Sequence, residues 1–298
     1  MAAALRKIGQ WRVPPIGFGA MLLTMPQPEP GGLSAMVEEG QAIRTLHAAL
    51  DAGVRLVDTA INYCQGAADM GANERLVAKA LASWSGDAAE VLVVCKGGNR
   101  RGDDAPFIHD ARPENLRWSC ETSLKALGVE RAGLYMLHAK DPAVPLAESL
   151  GALAELKAEG KIAEVGVSNL GRRELAEARA IVDIAAVENP LSPAARAAMS
   201  LAKMCEAEGI AFLAYRPLGG QAGAPNLAEA VPVLGEVARE RGVSPHQVAL
   251  AWSLAQATSI IPIPAARRPE TIRDSAAAAG LTLTPEELAR IDAQAQPA

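Results

Sequence analysis

An alternation constrains this chain more than any single residue does. Short runs rich in Val, Ile and Leu recur along it, each followed by a longer amphipathic stretch. Eight runs read as strands: "IGFGAM", "VRLVD", "EVLVVCK", "GLYMLH", "IAEVGVSN", "IAAVEN", "IAFLAYRP" and "SIIPIPA". They are apolar almost throughout, as strands covered on both faces should be. Between them "GANERLVAKALASW", "RPENLRWSCETSLKALG", "VPLAESLGALAELKAEG", "GRRELAEARAIV", "SPAARAAMSLAKMCEAEG", "SPHQVALAWSLAQA" and "RPETIRDSAAAAG" read as helices. Pro113 and Gly128 frame the second, and Gly160 closes the third. A last helix, "TPEELARIDAQ", opens on a capping box of Thr284 and Glu287. Strands alternating with helices imply a parallel sheet. Eight such units in 298 residues predict an α/β fold of the (β/α)8 barrel type rather than an open sheet. No linker splits residues 1–298, so one domain is expected, with the Pro/Gly-rich stretch 24–32 as a loop on the functional face.

Composition narrows the function. Apolar residues make up 50 % and charged residues 21 %, ordinary for a soluble globular protein. The net charge of −5 with no basic block argues against nucleic acid as a partner. No stretch approaches the roughly 18 apolar residues of a membrane span, and "MAAALRKIGQ" does not read as a signal peptide. The four cysteines show no CxxC pair, which points to reduced thiols and a cytoplasmic setting. His47, His109 and His246 are too scattered to suggest a metal. Aromatics are only 3 %, so Ala, Leu and Val must fill most of the core.

In a barrel of this kind catalytic groups sit at the C-terminal ends of several strands. Here the second run ends on Asp58, with Tyr63 in the loop beyond; the third ends on Lys96 and the fourth on His138. The fifth ends on Ser168–Asn169, the sixth on Glu188–Asn189 and the seventh on Tyr215–Arg216. Ionisable groups capping apolar strands cost desolvation unless they find partners, and on one rim they can be each other's. A lysine beside a phenol should favour phenolate and lower the tyrosine pKa from about 10. An aspartate would keep that lysine charged, and a histidine could bond a substrate oxygen. The set describes a general acid for a carbonyl oxygen.

Each residue alone has a plainer explanation. Asp58 could cap a helix, Tyr63 could be a rim aromatic, Lys96 a surface lysine with a buried stem, and His138 a satisfied core histidine. Their agreement at successive strand ends favours catalysis. "GGNRRGDD" at 97–104 reads as a solvated loop, with Phe107 and His109 beyond it as candidates to face substrate. Cys64 reads as a small buried filler.

At this point "VDTAINY", "VVCKGG", "LYMLH", "EGKIAEVGVSN", "AYRPLG" and "IPIP" followed by "RRPE" resemble the landmarks of the aldo-keto reductases, from Ile16 to about Ala279. The resemblance implies a barrel that binds NADP(H), with NAD(H) as the alternative, without a Rossmann motif, and a small-molecule carbonyl substrate. It implies that Asp58, Tyr63, Lys96 and His138 form a catalytic tetrad, Tyr63 giving the proton. It assigns Ser168, Asn169 and Glu188 to the carboxamide and Tyr215 to the nicotinamide face. Arg216, Pro217 and Leu218 would follow the pyrophosphate. Ala265, Ala266, Arg267 and Arg268 would lie near the 2′-phosphate and Asp274 near the adenine, while Ala20 and Met21 join the cofactor set. Several positions depart from the family pattern: Cys64 stands for a usual glycine, Glu188 for a glutamine, Arg216 for a serine, and Ser275 for an asparagine. Ala265 and Ala266 replace residues that often meet the 2′-phosphate. The principal rival is a cofactor-binding regulatory protein on the same barrel with vestigial turnover; another is a lyase or isomerase using Lys96 as a Schiff base.

Overall fold

The barrel is visible strand by strand in a computed structural model, which describes residues 4–28, 34–102 and 107–294. The strands are β1 Phe18–Gly19, β2 Leu56–Asp58, β3 Leu92–Gly97, β4 Ala132–Leu137, β5 Ile162–Ser168, β6 Ile184–Pro190, β7 Ala211–Tyr215 and β8 Ile260–Pro262. All pair in parallel and in chain order. The sheet closes on itself: Gly17 N donates to Pro262 O at 2.9 Å, Gly19 N donates to Pro264 O at 3.0 Å, and Gly19 bridges Ala265. The expected (β/α)8 barrel is therefore present.

Side-chain parity explains why these runs look continuously apolar. Leu56, Leu92, Val94, Leu134, Met136, Ala186, Leu213 and Ile261 point inward and form one interior cluster. Cys95, Tyr135, Leu137, Val187 and Phe212, offset by one, pack outward against helices. A hairpin of Arg6–Ile8 and Trp11–Val13 stoppers the N-terminal end through Ile8 and Val13. Each fully buried aliphatic side chain contributes about 1.5–3 kcal/mol.

The outer helices are α1 Glu39–Asp51, α2 Ala72–Ser83, α3 Pro113–Leu127, α4 Leu146–Ala158, α5 Arg172–Arg179, α6 Met199–Ala207, α7 Pro245–Gln256 and α8 Pro269–Ala277. Pro113 opens α3 as expected, and Gly128 ends it at φ 71°, a conformation that costs an L side chain. The final helix, Pro285–Gln294, has the anticipated capping box: Thr284 N donates to Glu287 Oε2 at 2.7 Å, and Glu287 N to Thr284 Oγ1 at 3.2 Å.

Several boundaries differ from the sequence reading. The first strand is only two residues, because the chain turns into a 3-10 helix at Ala20–Leu23. Residues 192–195 form a tight turn, so α6 starts only at Met199. Helix Pro232–Arg241 was not anticipated; it stands beyond a segment rich in Gly, Ala and Pro that hides its periodicity. In the loop at 24–32, Gln27–Pro28 pairs with Ser34–Ala35, and 29–33 lie outside the described residues. In the 97–104 stretch, Asn99–Arg100 pairs with Ile108–His109, and 103–104 lie outside them.

Candidate active site

The parity that fills the barrel also builds the site. Asp58 is two residues beyond inward Leu56, Lys96 two beyond Val94, His138 two beyond Met136, Glu188 two beyond Ala186 and Tyr215 two beyond Leu213. Period-two alternation therefore aims all five into the C-terminal mouth, one rung above the apolar interior. Buried charges follow because the strands end there.

Lys96 is the hub and is completely buried. Its Nζ donates to Asp58 Oδ1 at 2.5 Å, Thr59 O at 3.1 Å and Tyr63 Oη at 3.4 Å. Glu188 Oε2 is a further 3.5 Å neighbour. The Tyr63 and His138 rings meet edge to face with centroids 5.7 Å apart. The four expected catalytic residues thus converge on one point.

Electrostatics correct one expectation. Tyr63 was expected to be shifted down by Lys96; burial instead pushes it well above the ordinary phenol value. Lys96 does pull it down, but Asp58 and Glu188 both push it up. Two carboxyl groups around one ammonium leave little net positive field for the phenol. Lys96 itself is held charged, since Asp58, Glu188 and Tyr63 outweigh its burial. His138 lies well below the usual imidazole value because of burial, the Lys96 charge and His109, so it is neutral at pH 7. Its Nδ1 is buried without a hydrogen-bond partner.

Two residues that the sequence reading missed fix the tyrosine loop. Asn73 of α2 accepts from Thr59 Oγ1 at 2.6 Å and donates to Ala20 O at 2.9 Å and Thr24 Oγ1 at 2.7 Å. Thr24 in turn donates to Tyr63 O at 2.7 Å. One buried amide ties the ends of β1 and β2 to a helix. The signal available was an asparagine among the buried positions at the start of the helix.

Ser168 ends β5 beside this group and Asn169 follows it. Asn169 Nδ2 donates to His138 O at 2.9 Å, and Tyr215 Oη donates to Asn169 Oδ1 at 2.8 Å. Asn169 (φ 61°) and Arg216 (φ 49°) are the two non-glycine residues with positive φ among those described. Asn tolerates that region; for Arg it costs roughly 1–2 kcal/mol. The Arg216 turn is held by Gly219 N donating to Arg216 O at 2.9 Å, and its guanidinium stacks on Tyr215 at 5.8 Å. Strain at the tips of two strands is typical of a binding site.

The other residues assigned to the cofactor lie along the rim and just below it. Ala20 and Met21 lie in the 3-10 turn, and Pro217 and Leu218 are buried below the Arg216 turn. Ala266 is buried next to the Ala265 seam. Arg267 is half-buried, and its carbonyl accepts from Gln41 and Thr45. Arg268 is exposed and 3.3 Å from Glu270. Asp274 is already engaged, accepting from Ser244 and Gln247, each at 2.6 Å. Phe107 and His109 are exposed on the hairpin after β3, where His109 Nδ1 lies 2.8 Å from Asn99 Oδ1. Cys64 is a buried filler, its thiol pushed up to about 11, mainly by burial. Among the described residues no cluster could hold a metal ion, and no helix is long and apolar enough to cross a membrane.

Comparison with known proteins gives the family and supports the fold. Residues 15–296 match the aldo/keto reductase family. Pyridoxine 4-dehydrogenase of Escherichia coli is 31% identical over 96% of this chain and 96% of its own. Aldo-keto reductase str7 of Strobilurus tenacellus is 30% identical over 98% of this chain and 91% of its own. Among solved structures, an aldo/keto reductase from Klebsiella pneumoniae in complex with NADP and acetate superposes with a TM-score of 0.80 at 26% identity, covering 100% of this chain and 97% of that one. A glycerol dehydrogenase from Gluconobacter oxydans superposes with a TM-score of 0.82 at 25% identity, covering 100% and 98%.

Proposed function

Because this chain belongs to the aldo/keto reductase family, and is on that ground an oxidoreductase, we propose that it reduces an aldehyde or ketone to an alcohol with NADP(H), NAD(H) being the secondary option. The observation that carries the reading is the contact of Lys96 Nζ with both Asp58 and Tyr63 Oη inside a buried mouth. Tyr63 keeps its proton at neutral pH, as a donor to a developing alkoxide must. Lys96 places a fixed charge beside that phenol and stabilises it once the proton has left. Asp58 holds the lysine. Neutral His138 bonds the carbonyl oxygen without competing for the proton. The remaining polar groups of the mouth suit a nicotinamide: buried Ser168 and Glu188, the latter with an Oε2 that makes no hydrogen bond, and Asn169 and Tyr215 at the strand tips. When bound, the cofactor would supply the hydride. Ser168, Asn169 and Glu188 would hold its carboxamide, Tyr215 its ring, and Arg216, Pro217 and Leu218 its pyrophosphate. Ala20, Met21, Ala266, Arg267 and Asp274 complete the set.

The solved relatives bound to NADP and NADPH support the cofactor assignment. We take residues 1–298 as one domain, since the site draws on strands from β2 to β7 and on the β8–α8 turn. Four buried free cysteines suit a reducing cytoplasm. Incubation with NADPH and a panel of reactive aldehydes, followed by loss of the NADPH absorbance, tests the reading. Cofactor binding without turnover of any carbonyl would transfer the protein to the regulatory class.

A further inference from the structure

Glu188 occupies an unusual electrostatic position. Its carboxyl and that of Asp58 flank the single buried ammonium of Lys96, at 3.5 and 2.5 Å. All three side chains are essentially shut off from water. Two ionised carboxylates there would leave a buried net charge of −1, which is costly without a further partner. One proton on the pair removes that charge. The nearer Asp58 keeps its ion pair, so the proton falls to Glu188, whose Oε2 makes no hydrogen bond.

We propose that Glu188 is a redox-sensing residue for the cofactor: its carboxyl is neutral beside reduced nicotinamide and ionised beside the oxidised, cationic ring. The inference rests on the function proposed above, with Glu188 in the carboxamide contact. A buried carboxyl next to a fixed positive charge favours its anion, and next to a neutral ring it does not. Binding of NADP⁺ then expels a proton from Glu188, and binding of NADPH does not.

The surrounding groups leave Glu188 free to play this part. Burial pushes it up to about 8, and the Asp58 charge adds to that. Lys96 and Tyr63 are held above the range and Tyr215 is also raised, while His138 is held below it. Burial raises Asp58 as well, but its 2.5 Å contact with Lys96 makes it the last of the pair to take a proton. Directly opposite Glu188 on the neighbouring strands stand Ser168 and Leu213, neither of which titrates.

Calorimetry of the intact protein with NADP⁺ and with NADPH, in buffers of different ionisation enthalpy, counts the protons. Midway between the titrations of the two complexes, about half a unit below pH 8, NADP⁺ should release roughly half a proton per site and NADPH none. The ratio Kd(NADP⁺)/Kd(NADPH) should fall about tenfold as pH rises over roughly the unit below 8 and level off above it, the equivalent of one pKa unit between the two complexes. In Glu188→Gln the difference in proton release should vanish and the ratio should be flat. Equal release with both cofactors, or release that persists in Glu188→Gln, overturns the inference and leaves the reductase reading standing. Failure of both cofactors to bind overturns the two together. Should Glu188→Gln not fold, the infrared carboxylic-acid band of the wild type decides the matter: it should be present with NADPH and lost with NADP⁺, and a band indifferent to the cofactor refutes the idea.

Discussion

The two ends of the proposed cofactor site are built on opposite principles. At the near end Asp58, Lys96 and Glu188 are dry, pinned at strand ends, and paired within 3.5 Å. At the far end Arg268 and Glu270 are each about two-thirds exposed, and Arg267 sits on a turn. Buried charges interact strongly, and removing one leaves its partners orphaned; exposed charges are screened and individually weak. On the proposed reading, chemistry is thus written into the barrel, whereas cofactor preference is written onto its rim and should be easier to alter.

That contrast can be broken at its strongest point first. Tyr63→Phe and Lys96→Met should each lower kcat by a factor on the order of 10²–10⁴, with NADPH affinity near wild type in Tyr63→Phe. Steady-state rates and dissociation constants measure both, and near-normal turnover in Tyr63→Phe would remove it as the acid.

Next comes Glu74, a buried carboxyl of α2 that accepts from Ser123 Oγ at 2.8 Å and is pushed up to about 7 by burial. A carboxyl raised above its ordinary value near 4.5 stabilises the fold only while protonated, so stability should decline as pH rises from about 4.5 through 7. The full effect is roughly 3 kcal/mol at 1.36 kcal/mol per pH unit. Glu74→Gln should flatten that decline in denaturant titrations across the range; an unchanged slope means that Glu74 is not its source. By contrast Arg268→Ala, removing an exposed charge, should move stability by less than about 0.5 kcal/mol.

Asn73→Ala leaves Thr59, Thr24 and Ala20 short of a partner. A loss of roughly 1–3 kcal/mol is expected in the same titrations, together with reduced kcat because the Tyr63 loop loosens. A fully stable and active variant would deny Asn73 its bracing role.

The smallest effect belongs to the rim. Charge-assisted contacts contribute roughly 1.5–3 kcal/mol, and alanines at 265 and 266 offer no hydroxyl, so NADPH should be preferred over NADH by about tenfold. Arg267→Ala should shrink that preference, while Arg216→Ser, acting on the pyrophosphate common to both cofactors, should leave it unchanged. Equal binding of both cofactors by the wild type would erase the far end as a phosphate site.

What could be read from the sequence follows the same divide. Lys96 and His138 were legible because each closes an apolar run, and barrel geometry gathers strand ends. Thr24 and Asn73 were not, because their partnership spans 49 positions and leaves no local pattern. The direction of the Tyr63 shift was misjudged because the sequence shows a lysine but neither how deeply the phenol is buried nor how many carboxyls crowd it. Helix Pro232–Arg241 was lost behind a stretch whose composition suits turns.

The seam between β1 and β8 has a consequence for biosynthesis. Gly17 and Gly19 must wait for Pro262 and Pro264, synthesised about 245 residues later, before their edge is covered. Until then a ribosome-bound chain exposes a parallel strand edge and lacks Glu188, Tyr215 and Arg267 in turn. Unpaired edges recruit other chains, and distant pairings form slowly. A premature stop anywhere before β8 should therefore yield an aggregate rather than a weakened enzyme, so the last strand is the part of the chain that truncation should spare least.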